Sequence, residues 1–483
     1  LNRPFTVLLT FFAVAAFGVA ASMDAAITGL TDGTWDLRSP PSTPAGETWF
    51  YKSGIVFQLD STTGGYLANI RRNGTSYNDY EAGADLIKFN SLSNISVNNA
   101  VPVARSTLEP IPGTSIMSLT SSHSMFGGFV PRGAATSGGA AHPYAGTGFG
   151  INLVGFYPVN ISQLTGPIEY RLQIQQFNYD GANFTTTAPV RMPASGMPIG
   201  STGWKITAPG FSAAIPDGND LLFAVKCSNG TASSNGIARF QHGVNGWEPT
   251  GFVPITDTGM EPSLIRDVDG SLLFSNRQGT THMLWRATAM DGAWSKRLDA
   301  GSHIDAPMVV ARAADGTPYF ASNAPSSQPA RNRLQMAPVN EARNGLEAPM
   351  TIVDGYDEFG ASPENMGWGV DMGFGSVVRL ADGQWHGLLI HRVMAQTEHF
   401  RASLGTPQTG CYIEEVRSSG ASVPIWTFVV PEPSSKALAI SAFAGLLTAG
   451  TFWRRRGRAQ SRRREARGGV CMHPPGATQE SES

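Results

Sequence analysis

Lysine is nearly missing from this 483-residue chain, with six copies, and charged residues of all kinds make up 15%, against roughly a quarter in ordinary globular proteins. A formal net charge of −2 gives no positive field to wrap nucleic acid. Three cysteines are too few for a disulfide scaffold. The 55 glycines follow no three-residue period, which excludes collagen, and no heptad repeat supports a coiled coil. The chain has no P-loop, dinucleotide fingerprint, HExxH or CxxC, so nucleotide, zinc-protease and thioredoxin-type chemistry have no motif to rest on. With 41% hydrophobic residues the chain can bury a large core and is no disordered segment.

The two ends differ from the body. Residues 1–21 place Arg3 before an apolar run, Phe5 to Phe17, and close on the small residues Val19, Ala20 and Ala21. That is the three-part pattern of a secretory signal peptide, removed by signal peptidase. At the other end, Pro431, Glu432 and Pro433 precede an apolar stretch from Ala437 to Trp453, followed by Arg454, Arg455, Arg456 and Arg458. This seventeen-residue, largely apolar stretch makes a helix of about 25 Å, just enough to span a bilayer. The arginines would hold its far end in the cytoplasm. These features, in this order, resemble the PEP-CTERM sorting signal. The resemblance implies a substrate of exosortase, a membrane transpeptidase that cuts near Pro431-Glu432-Pro433. The protein would be inner-membrane anchored before processing and at the cell surface or in the extracellular matrix afterwards. The organisation expected is a signal peptide over 1–21, a body over 22–429, the sorting signal over 430–458 and a disordered basic tail over 459–483. Export also permits disulfides. Cys227 and Cys411 lie in the exported part and either pair or remain two buried thiols.

Within the body, apolar and β-branched runs of 4–8 residues recur between Gly, Asp, Asn and Ser, with no sustained helical period. Four segments repeat a strand, an Asp-Gly pair and a second strand, at Asp217-Gly218, Asp269-Gly270, Asp315-Gly316 and Asp382-Gly383, spaced by 52, 46 and 67 residues. Asp-Gly predicts type I′ hairpins, in which both central residues take positive φ. A turn and a tryptophan, Asn245-Gly246-Trp247 and Asp291-Gly292-Ala293-Trp294, fall between the repeats, ahead of an outer strand. Four strands per unit and a period near 50 predict an all-β propeller of about six blades, with five or seven also fitting. The residues Thr288-Ala-Met-Asp291-Gly292-Ala-Trp294 form a degenerate Asp-box, and over about 205–420 the chain resembles the sialidase-like (BNR-repeat) propeller superfamily. In that superfamily the box is structural, so the resemblance implies fold and leaves catalysis open.

Candidate chemistry follows from propeller geometry. The residue that begins each innermost strand lies at the channel mouth, and Glu261, Asp305 and Asp371 occupy that place in three repeats. Three converging carboxylates suit general acid and base work on a glycosidic bond. A divalent cation in the channel would use the same geometry, as would simple capping of backbone N–H groups. No other cofactor is implied. Arg277, His391 and Arg392 follow second strands and suit a sugar carboxylate. The glycine-rich loop 127–150 carries Arg132, His142 and Tyr144, a set that fits a polysaccharide lyase or a surface loop packed on a blade. Trp368, Trp385, Tyr412 and Trp426 offer stacking faces for sugars. The sialidase Arg-Ile-Pro start is absent.

Three readings result: an exported propeller contacting extracellular polysaccharide; a sialidase-like glycoside hydrolase or propeller-type lyase acting on an acidic glycan; and a structural protein of a biofilm matrix. Without residues 1–21 and 431–483 the chain loses ten of its 35 basic residues and four of its 37 acidic ones, leaving a net charge of −8. Such a body repels anionic glycans except where arginines cluster.

Overall fold

The computed structural model describes residues 27–30, 35–37, 49–72, 81–105, 108–110, 116–119, 125–135, 139–158, 169–300, 308–324, 333–354, 368–395 and 410–420. They form six antiparallel sheets in chain order, a six-bladed β-propeller. Blade 1 runs Trp49–Gln58, Gly64–Arg72, Glu81–Phe89 and Ala100–Arg105. Blade 2 has the short inner strand Phe126–Phe129 on Thr147–Pro158, then Glu169–Tyr179 and Phe184–Thr186. In blade 3 the inner segment is split into Lys205–Pro209 and Ile215–Asp217, followed by Asp220–Ser228, Ser233–Gly243 and Gly246–Thr256. Blade 4 is Met260–Arg266, Leu272–Gln278, Thr281–Ala287 and Ser295–Ala300. Blade 5 is Val309–Arg312, Pro318–Asn323, Arg333–Pro338 and Met350–Asp354. Blade 6 is Trp368–Arg379, Trp385–Ala395 and Gly410–Ser418, completed from the other end of the chain by Ile27–Leu30 and Trp35–Leu37.

Each blade is covered on both faces by a neighbour, so central second strands are buried on both faces instead of alternating, as in blades 4 and 5. Leu272, Leu273 and Phe274 are all buried. Leu272 and Phe274 pack toward blade 3 with Leu222 and Ile237, while Leu273 packs toward blade 5 with Val310 and Phe320. The core is therefore a set of layers between blades. At the axis, Phe126 of blade 2, Phe211 of blade 3 and Phe374 of blade 6 meet with ring centroids 5.1–5.8 Å apart. Blades 3 and 6 stand across the ring from each other, so this contact closes the centre of the propeller.

All four Asp-Gly pairs join an innermost strand to a second strand, as expected, but the turns are not type I′. Among the described residues only Glu261 and Arg343 are non-glycines with positive φ, so the aspartates stay in the right-handed or extended regions. In three blades the Gly N–H bonds back three residues, as from Gly270 to Asp267 O, Gly316 to Ala313 O and Gly383 to Leu380 O, and each Gly takes φ between 78° and 89°. This is a type I turn followed by a left-handed glycine. Each Asp carboxylate accepts the N–H two residues on, from Ser271, Thr317 and Gln384. In blade 3 a two-residue turn at Gly218 and Asn219 closes Asp217 on Asp220 instead.

The two cysteines do not pair. Cys227 is buried in blade 3 and Cys411 in blade 6, in separate core clusters. Burial pushes the Cys227 thiol pKa well up, which leaves an inert apolar side chain. Among the described residues no helix is long and apolar enough to cross a membrane. The expected signal peptide over 1–21, Pro431, Glu432, Pro433, the apolar stretch, Arg454, Arg455, Arg456 and the tail over 459–483 lie outside the described residues.

The turn geometry makes a test. A Cβ on Gly270 would meet nothing within 4 Å, so only its φ of 84° opposes a side chain. Gly270→Ala should cost about 1 kcal/mol, and Gly270→Asn clearly less, because asparagine tolerates the left-handed region. Denaturant unfolding of both variants checks the order.

Candidate functional site

Up-and-down blades give the propeller two unlike faces. The Asp-Gly turns lie on one, the hairpin face. On the other, the crossover face, the chain passes from one blade to the next. Between blades 3 and 4 it crosses through Asp257, Thr258 and Gly259 into Met260–Arg266. Asn235 and Asn276 clamp this crossing by donating side-chain N–H bonds to the Thr258 carbonyl, and Asn235 also to that of Gly259, at 2.7–3.0 Å. Gly259 must be glycine, since a Cβ there would lie 2.5 Å from the Arg277 carbonyl and the Asn276 amide.

The register then slips between Met260 and Ser263. Such a bulge re-aims a side chain, and here it holds Glu261 at φ 57°, an uncommon place for a non-glycine residue. The Glu261 carboxylate meets Arg277 from the next strand in a bidentate pair. Arg277 Nε donates to Oε2 and Nη2 to Oε1 at 3.0 Å, while Nη1 donates to the Gly279 carbonyl at 3.2 Å. Two residues expected to serve as acid and as sugar-binding base are thus each other's partners, and Arg277 is buried. The carboxylate has both oxygens on the guanidinium, so the fork is already occupied where a sugar carboxylate would bind.

Asp371 lies at the matching bulge of blade 6, between Asp371 and Phe374, with Arg392 as its cross-strand partner. Asp305 lies outside the described residues. Among the described residues no three His, Cys, Asp or Glu side chains come together to hold a metal. His391 is buried with its ring stacked on Tyr412 at 5.5 Å. Burial draws its pKa down to about 3, and the Glu414 carboxylate, 3.8 Å away, is too distant for a hydrogen bond. The ring is therefore a neutral packing element at physiological pH.

The glycine-rich loop falls on the opposite face. It connects the first two strands of blade 2, so His142, Tyr144 and Arg132 belong to the hairpin side, the length of an inner strand from Glu261. The seven residues Met260–Arg266 span about 20 Å. Tyr144 stacks on His242 at 4.2 Å and meets Trp247 edge-on at 5.8 Å. Buried His142 accepts the Tyr144 N–H on Nδ1 at 3.2 Å, and burial lowers its pKa. The aromatic tip packs between blades 2 and 3, while exposed Arg132 turns toward Gly181. Glu261 and the His/Tyr/Arg set do not form one site.

A groove of about 420 Å³ opens on the crossover face between blades 3 and 4. Trp204 and Trp285 form its apolar walls, and Ser233, Ser234, Thr256 and Asp257 supply polar groups. Trp204 leans on Phe252 at 5.1 Å, and Trp285 rests edge-on against Phe274 at 5.9 Å. Asp257, an exposed residue, begins the crossing that ends at Glu261, which places the groove and the ion pair on one face. Sequence reading selected other tryptophans. Trp204 and Trp285 are 81 residues apart on different blades, and only the packing of blade 3 on blade 4 unites them.

A further charged cluster sits on the hairpin face of blade 6. His386 Nδ1 lies 2.6 Å from Glu415 Oε1 and Nε2 lies 3.0 Å from Asp382 Oδ2. Only the doubly protonated ring can donate to both. Burial pulls its pKa down, but the Glu415 hydrogen bond and the charges of Asp382 and Glu415 outweigh it, and the net shift is upward. A raised folded pKa gives stability that is fully present below the unfolded value near 6.5 and is lost as pH rises through the folded one. His386→Gln should therefore lower the unfolding midpoint more at pH 6 than at pH 9. An equal gap at both, by circular dichroism melts, would count against the charged ring.

No protein-family profile and no curated protein sequence matches the chain. Among solved structures, the chain is similar to the Hadza microbial sialidase Hz136, at 11% identity and a TM-score of 0.46 over 72% of this chain and 64% of that one, just under two thirds of its length. It is similar to the NanB sialidase of Streptococcus pneumoniae at 9% identity and 0.47, over 79% and 70%. It is also similar to the α-L-arabinanase of Penicillium chrysogenum at 11% identity and 0.45, over 80% and 98%.

Proposed function

We propose that this protein is exported to the cell surface or extracellular matrix and binds polysaccharide in the groove between blades 3 and 4. The observation that carries the binding reading is the groove itself, lined by the half-buried Trp204 indole, the largely buried Trp285, a carboxylate and several hydroxyls around a space of about 420 Å³. Sugars offer apolar C–H faces to aromatic rings and hydroxyls to polar groups, and this volume lies in the range of small-ligand sites. The acidic body and Asp257 favour a neutral glycan over an anionic one. Export rests on residues 1–21 and on the tripartite signal over 430–458, which resembles exosortase substrates.

A second reading, glycoside hydrolase or lyase, has one observation in its favour. Glu261 is held at φ 57°, and strain of this kind concentrates at functional sites. Against it stands the commitment of both its oxygens to Arg277.

Two experiments test the proposal. Affinity electrophoresis against neutral and acidic polysaccharides should find a neutral ligand, and Trp204→Ala or Asp257→Ala should weaken it at least about tenfold, the scale of losing a stacked ring or a charged hydrogen bond. Retained affinity in both variants sinks the groove. Reducing ends or unsaturated uronates that disappear in Glu261→Gln would favour the enzyme. For export, mass spectrometry should find the secreted form lacking the residues after about 433, and Ala at positions 431–433 should hold the chain in the membrane fraction. An unprocessed secreted form overturns that part.

A further inference from the structure

Arg312 ends the inner strand of blade 5 and is nine-tenths buried, with 9% exposure. Its guanidinium makes no hydrogen bond or ion pair among the described residues, and Nη1 is a buried donor without a partner. The acid whose charge acts on it, Asp267, is engaged elsewhere. Arg343 takes both its oxygens at 2.8 and 2.9 Å, and the Val268 N–H adds a third bond at 2.8 Å. The Asp267 carboxylate acts on Arg312 through its charge alone and accepts its hydrogen bonds from Arg343 and Val268. Burial draws the Arg312 pKa down to about 9, partly offset by Asp267, so the side chain is still charged at neutral pH. An unpaired buried charge is among the most expensive features a fold can carry.

Arg312 also lines a cavity. It is lined by residues of the inner segments of blades 3, 4, 5 and 6, among them Ser212, Arg266, Arg312 and Ser376, and holds about 60 Å³. A single water needs only about 10–15 Å³, so a small polyatomic group fits. Arg266 is spent on the Gly270 and Pro216 carbonyls and on Asp217. Ser212 Oγ accepts the Leu264 N–H at 3.0 Å, which leaves its own proton to give. The cavity thus offers one guanidinium and hydroxyl donors, with no carboxylate among its lining residues.

We infer that this axial cavity is a binding site for a small anion, of halide or formate size, held by Arg312 with Ser212 and Ser376. The anion would tie the inner strands of blades 3, 5 and 6 together around one charge. The site lies on the hairpin side of the propeller, apart from the groove, and does not depend on the glycan reading.

The test is thermal unfolding of the full chain at fixed ionic strength, with chloride or formate replacing gluconate, which is too large for the cavity. A saturating rise in midpoint with either small anion is expected, because a ligand that binds only the folded state stabilises it by mass action. Arg312→Met should abolish the rise, and Arg312→Lys should shift it to at least tenfold higher anion concentration. The same rise in Arg312→Met, or none in the wild type, overturns the proposal. Should Arg312→Met fail to fold, chloride-35 NMR of the wild type decides. Line broadening that formate reverses supports the site, and its absence refutes it.

Discussion

The propeller depends on the way its inner strands satisfy one another's backbone at the axis. An innermost strand is a sheet edge, with N–H and C=O groups that its own blade cannot pair. Here the neighbouring blade supplies the partners. The Met125 N–H goes to Asn69, Ala214 N–H to the Gly127 carbonyl, Phe211 N–H to the Pro262 carbonyl, Leu264 N–H to Ser212 and Val310 N–H to Ser263. Gln58 joins blade 1 to blade 6 by donating to the Arg379 carbonyl and accepting its N–H, at 2.8 and 2.7 Å. Small residues allow the approach. A Cβ on Gly375 would sit 2.2 Å from the Tyr319 hydroxyl, and one on Gly128 would sit 2.4 Å from the Ala214 Cβ. Ring closure by the N-terminal strands adds to blade 6 from its outer side, but the hydrogen bonds at the axis determine how near the blades can stand.

Close approach at the axis has a consequence for function. The three phenylalanines fill the level at which a wider propeller would present a channel. The Glu261 carboxylate at the entry of its inner strand turns into its own blade, where it finds Arg277. Space remains at the two margins of this plug: the groove outside the crossover loops of blades 3 and 4, and the small axial cavity at Arg312.

Local features were legible in the sequence and remote ones were not. Asp-Gly repeats sit within hairpins, so their spacing reported blade number and the inner-strand positions in four blades. Their turn type was misjudged because the same dipeptide serves a type I turn with a left-handed glycine, and the pair alone does not show whether the flanking strands close on two residues or on more. Blades 1 and 2 lack the pair. Blade 1 turns through Asp60 to Gly64, and blade 2 through the long glycine-rich loop, so their pattern was fainter. Glu261 and Arg277 were each picked out for chemistry, yet their pairing depends on a bulge that no spacing rule reports. Cys227 and Cys411 are both buried core residues, and nothing in their positions along the chain separated that role from a disulfide.

The arginines show why lysine is scarce. On the hairpin face, guanidinium forks hold carboxylates and carbonyls together. Arg266 joins Asp217 to two backbone carbonyls, Arg286 joins Asp269 to Ser271, and Arg343 grips Asp267 with two parallel bonds. A planar fork makes several directed bonds at a fixed angle, whereas an ammonium group makes a looser point contact. In a body with excess negative charge, every buried arginine would be expected to find an acid. Arg312 does not, although Asp267 is close enough to act on it. A structural cation would have been paired or replaced by an apolar residue at little cost. A lone guanidinium facing a cavity between four blades is instead the arrangement of a site whose counter-charge comes from solution.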